Sequence, residues 1–304
     1  MASAPGWGSW SFVPLLWVGL VVAAVWYVSM MHRVRRLTGK PVGADHWAFY
    51  FAGLAVILIA LGSPLNTIAV HWLLSAHMIQ HTLLSDIAPP LVILGLRAPV
   101  LPLGVPAPLL KRLAHRGTLG RVWGVVTKPW IALPVWAGTL LFWSFPAVFD
   151  YTAQHQLLHN FEHLTLFYTG FALWWLIITP LPTERRDPGF ARLAYIGFSR
   201  CASAVICVPL AFLGQTLYPL YVGFPRGYGL SAITDQRVAG ASVCLIEFLV
   251  FGIAMAVVFV DALNREERTQ ALAEMAMSSR SQAPISARPE PAISARSEIA
   301  MSPR

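Results

Sequence analysis

The segment HQLLHNFEHLTLF, residues 155–167, sets His155, His159 and His163 four residues apart in an otherwise apolar run. His77 and His81 repeat that spacing in HMIQH. Helical residues four apart stack on one face, one turn above the other. Two imidazoles so placed can grip one metal ion. Two such helices together would offer four nitrogen ligands, a set that suits copper, zinc or iron. The plain alternative is a set of rings that only hydrogen-bond between helices. Five histidines on two segments favour the metal.

Acidic and soft groups surround this pattern. Glu162 precedes His163 and follows His159 by three, so it can accept from an imidazole N–H or instead face the outer interface or a polar neighbour. Asp235 and Gln236 open the last apolar segment, where Asp235 suits an N-cap or an approach to the histidines from above. Asp86 and Glu247 have no cation in their own turns and are expected to be protonated or paired, with a proton relay as the functional alternative. Met78 and Cys244 carry atoms that suit Cu(I), although such residues in apolar helices usually only pack. Cys201, Cys207 and Cys244 show no paired spacing and are expected to be packing residues.

The elements that must position these groups follow from composition. Of 304 residues, 56% are hydrophobic and 12% charged, with mean hydropathy +0.60. A soluble domain would carry about twice that charged fraction. The apolar residues come in blocks near the ~20 residues that cross a bilayer. The expected fold is therefore all-α and polytopic, with seven transmembrane helices over 12–31, 46–63, 70–96, 129–146, 155–179, 195–217 and 237–261. The third contains Pro89-Pro90 and either ends near Ala88 or kinks and continues.

Charge sets the expected orientation. The loops at 32–45, 97–128 and 180–192 hold Arg33, Arg35, Arg36, Lys40, Arg97, Lys111, Arg112, Arg116, Arg121, Lys128, Arg185 and Arg186, with Arg192 at the end of the last. The intervening loops at 64–69, 147–154 and 218–236 hold one basic residue between them, Arg226. Basic loops stay cytoplasmic, which puts the N-terminus outside and the C-terminus in the cytoplasm. The +8 net charge is then a matter of topology and lipid contact, and no nucleic acid is called for. Residues 1–11 are read as an extracytoplasmic N-terminus and 12–263 as the membrane domain. Residues 264–304, with ISARPE and ISARSE repeated, are read as a disordered cytoplasmic tail. His32, His46 and His115 fall by the basic loops and are expected to be solvated. Trp174-Trp175 suit an interfacial belt.

In this layout the histidines occupy the outer halves of their helices. His77 and His81 lie roughly 10 to 17 Å in, and His159 and His163 roughly 6 to 12 Å, at 1.5 Å per residue. The two sets can meet at one depth, while His71, six residues before His77, points elsewhere.

These residues carry a family resemblance. HMIQHTLLSDIAPPLVILG at 77–95 resembles the H-x-x-x-H … P-P-L … G segment of CtaG-type cytochrome c oxidase assembly proteins. HNFEHLTLFYTGFALWWLI at 159–177 resembles their H-x-x-E-H … G … W-W segment, and DQRVAG at 235–240 their D-Q-x-x-x-G. The resemblance implies a non-enzymatic factor in the bacterial plasma (inner) membrane that matures a haem-copper oxidase. It would assist copper insertion into the catalytic subunit, with periplasmic copper chaperones as further partners. His77, His81, His159 and His163 would hold Cu(I), with Asp235 close by and His155 as an additional ligand.

Two other classes compete. A seven-helix zinc hydrolase acting on a lipid amide would use His77, His81 and His163, with Glu162 or Asp235 as base. A haem carrier would need only one axial histidine from each helix, which leaves the paired spacing unused.

Overall fold

The computed structural model describes Gly8 and residues 10–108, 118–181 and 189–282. Among them there is no strand. The helices are α1 (Pro14–Thr38), α2 (Ala44–Gly62), α3 (Pro64–His71), α4 (Leu74–Thr82), α5 (Ala88–Leu96), α6 (Val100–Gly104), α7 (Thr118–Val126), α8 (Pro129–Ser144), α9 (Pro146–Ala153), α10 (Gln156–Ile178), α11 (Gly189–Phe212), α12 (Pro219–Val222) and α13 (Ala232–Gln282). Among the described residues, six spans are long and apolar enough to cross a membrane. A seventh is counted if α7 and α8, bent by 77° between Gly120–Val126 and Pro129–Ser144, form one.

Chain contacts divide the protein into Met1–Phe259 and Val260–Arg304. The second unit is helical to Gln282, past the boundary expected at 263. The repeated segment at 285–298 lies outside the described residues, as do His115, Lys111, Arg112, Arg116, Arg185 and Arg186 of the basic loops.

The third span starts at Leu74, not at residue 70, and His71 sits exposed on the separate α3. Between α4 and α5 the chain widens into a π-turn, Leu83–Ile87, where the Ala88 N–H reaches the Leu83 carbonyl. The cause lies in Pro89 and Pro90, which bring no N–H to the carbonyls four residues back, Ser85 and Asp86. A π-turn lets the helix continue rather than stop. The freed Ser85 carbonyl lies against the backbone of α10 at Gly170, where an added Cβ would stand 2.3 Å from that oxygen.

Burial separates the spans by role. Within the apolar stretch of Leu74–Leu96, 61% of residues are buried, and 50% in α10, against 28% or less in the other four long spans. The two helices that carry the histidine pairs are thus central, and the others face lipid with Val, Leu and Phe. In a bilayer such helices associate by close packing of small residues and by polar contacts, not by hiding apolar surface from water.

Several expectations are corrected by this packing. His46 is buried, with Nδ1 3.2 Å from the Gly95 carbonyl, because α2 lies directly against α5. Trp174 and Trp175 are buried in an aromatic cluster with Trp136 and Phe251 instead of facing an interface. Cys207 and Cys244 are joined as a disulfide between α11 and α13. They are 37 residues apart on different helices, so spacing along the chain carries no sign of the pair.

Candidate metal centre

His77 and His81 project from α4, and His159 and His163 from α10. Their ligand atoms all lie within 4.8 Å of one another. His77 Nε2 is 2.9 Å from His81 Nε2 and 3.3 Å from His159 Nε2. Four nitrogens about a tetrahedral ion at 2.0–2.1 Å would stand about 3.3 Å apart. To reach that spacing the closest pair, at 2.9 Å, must open by about 0.4 Å and the widest, at up to 4.8 Å, must close by up to about 1.5 Å, which asks for ring rotations. His163 Nε2 is buried and has no hydrogen-bond partner. A buried imidazole nitrogen left unpaired is costly unless something fills its place. The residues present therefore fit a metal ion.

Tyr221 of α12 sets the protonation of His77. Its hydroxyl donates to the Ala69 carbonyl at 2.5 Å and so must accept from His77 Nδ1, 2.7 Å away. That leaves the His77 Nε2 lone pair facing the other rings, a tautomer assigned from the hydrogen bonds. Burial, and then the Asp235 carboxylate, push the Tyr221 hydroxyl well above its ordinary pKa, so it keeps its proton. In the metal-free protein the His77–His81 contact needs an N–H, which His81 Nε2 supplies. Above the rings, Phe149 of α9 packs 4.8 Å from His77, and Tyr218 packs 4.3 Å from Phe149. These rings set apolar surface against His77, while His81 stays partly exposed.

The α4 helix has no cap of its own, since Leu73 before it is extended and apolar. Asp235 supplies one from α13. Its Oδ2 accepts from Leu74 N–H at 2.7 Å, and its Oδ1 accepts from Ser75 N–H at 3.1 Å and Ser75 Oγ at 2.6 Å. Asp235 does not cap α13, where Ser231 Oγ accepts from Thr234 N–H instead. Gln236 beside it holds Leu217 N–H and the Gln215 carbonyl. One turn on, Gly240 lets α13 press on α11, where a Cβ would meet Ala211 N at 2.3 Å.

Glu162 is buried, with Oε1 3.6 Å from His81 Nε2 and no hydrogen bond to that oxygen. His155 does not join the group. The α10 helix begins at Gln156, so His155 is its exposed cap residue, and its Nδ1 turns back to the Tyr151 carbonyl at 2.7 Å. Glu247 finds its cation on another helix, Arg200 of α11, at 3.1 Å. Sequence reasoning missed Tyr221, Phe149 and Arg200. Tyr221 is 144 residues from His77 and lies in no periodic pattern, so nothing along the chain marks it.

Fold and site together define a polytopic membrane protein with a buried four-histidine group able to hold a metal ion. The chain belongs to the cytochrome c oxidase caa3 assembly factor (Caa3_CtaG) family, whose family model matches residues 25–265. No curated relative and no solved structure matches it.

Proposed function

We propose that this protein matures a haem-copper oxidase by holding Cu(I) in its histidine group and passing it to the oxidase's catalytic subunit. The observation that carries this reading is the convergence of four imidazoles within 4.8 Å, one with a buried and unpartnered Nε2. Neutral imidazoles bind Cu(I) and exchange it without any catalytic step, so the role is carriage, not enzymology. Copper is the cargo here. The basic loops support a topology with the N-terminus outside and the C-terminus in the cytoplasm, and the family supports a bacterial plasma membrane as its setting. In that orientation the histidine group lies near the outer face, where copper carried by periplasmic chaperones would arrive.

The test is metal counting. Purified protein is loaded anaerobically with Cu(I), and copper, zinc and iron are measured per chain, beside a His77→Ala, His163→Ala double variant. About one copper per chain, lost in the double variant, is the expected result. Zinc that survives chelation would overturn the copper assignment, and metal in neither protein would overturn the site.

A further inference from the structure

The histidine group is not the last polar feature along the span Leu74–Leu96. A small cavity is lined by His81, Ser85, Asp86, Ser203 and Glu247, with apolar Leu140 and Trp143 of α8 closing its side. Asp86 is 1% exposed. Its Oδ2 accepts from Ser85 Oγ at 2.5 Å, and its Oδ1 has no hydrogen bond, with the Trp174 indole beside it. Glu247 is also buried and pairs with Arg200, which also bonds Ser203 Oγ at 3.0 Å.

These groups do not balance if both carboxyls are ionised. Two carboxylates and one guanidinium carry a net negative charge inside a bundle surrounded by hydrocarbon, where an unpaired charge is costly. Neutrality requires one proton on the Asp86–Glu247 pair, and the proton belongs to the pair. Asp86 lies five residues past His81, about 7 Å along the helix. A cation entering neutral imidazoles adds a positive charge at that distance, which a proton leaving the pair would cancel.

We infer that Asp86 and Glu247, beside Arg200, form a proton site that gives up its proton when a monovalent cation enters the histidine group. The inference rests on the proposed metal reading of that group. The exchange balances: one cation enters, one proton leaves to water, and the charge of the membrane core is unchanged. The titratable and charged groups around the pair are Arg200 on α11, Glu247 on α13, His81 on α4 and, beyond His81, Glu162 on α10. Facing residues of α8 contribute none.

Silver(I) is a suitable probe, since it has the same charge and does not change oxidation state. Calorimetric titration in two buffers of different ionisation enthalpy counts protons released per Ag(I). The wild-type protein should release about one proton more than Asp86→Asn or Glu247→Gln, either of which leaves a neutral set without a proton. Equal release in all three would overturn the coupling. An infrared difference spectrum, metal-free wild type minus Asp86→Asn, should show a protonated-carboxyl band, and its absence would overturn the proton site. If Ag(I) fails to bind the wild type, the histidine reading falls together with the coupling. The infrared band then decides separately whether the proton site exists.

Discussion

Asp235 closes the N-terminus of the helix that carries His77, through hydrogen bonds to Leu74 and Ser75, 161 and 160 residues away. The carboxylate therefore acts on the histidine group without touching a ring. Its position on the last long helix makes the placement of α4 depend on assembly of the whole bundle.

Asp235→Ala should accordingly weaken both fold and site. Loss of a capping side chain costs about 1 kcal/mol, and buried N–H groups left unpaired add about 1–3 kcal/mol. Thermal unfolding should shift down and Ag(I) affinity should fall at least about tenfold. Asp235→Asn, which keeps one acceptor, should recover part of both. Unchanged silver affinity in Asp235→Ala would show that the cap does not set the rings.

Tyr221→Phe removes one oxygen and keeps the ring. His77 Nδ1 would lose its acceptor, so the ring could turn or change tautomer. Affinity for Ag(I) should drop about 10- to 100-fold, the usual effect of losing the hydrogen bond behind a metal-binding histidine. The hydroxyl also holds the Ala69 carbonyl, so stability is measured alongside. A loss of stability at full affinity would assign Tyr221 to the fold alone.

His155 and His159 are four residues apart, yet their substitutions should differ. His159→Ala removes a buried member of the group and should reduce copper bound per chain. His155→Ala removes an exposed ring and should leave copper unchanged. Equal loss from the two would mean that α10 extends to include His155 in the loaded protein.

Gly170→Ala tests how closely α10 meets the π-turn. The added carbon would stand 2.3 Å from a backbone oxygen that cannot rotate away. The helices must separate, at a cost of about 1–3 kcal/mol or more. Gly138→Ala, inside α8 with nothing within 4 Å, is the control and should be at least as stable as wild type. Size-exclusion profiles and unfolding midpoints in detergent read both.

What the sequence by itself determined follows from periodic, local chemistry. Long apolar blocks separated by basic loops mark membrane spans, because a bilayer requires about 20 apolar residues per crossing. Spacing of four put His77 with His81 and His159 with His163, because one helical turn makes those positions neighbours. Spacing could not decide whether His155 continued the stripe, since that depends on where α10 starts. It could not show that Pro89-Pro90 would be absorbed by a π-turn, since that needs Gly170 of another helix to sit against the freed Ser85 carbonyl. Only the tertiary structure brought Asp235 to Leu74, Tyr221 to His77, Arg200 to Glu247 and Cys207 to Cys244. Each of these pairs joins residues far apart in sequence, with no period linking them. In the first three, a polar group that must be satisfied away from water finds its partner on another helix, and the fourth is a covalent link between two helices.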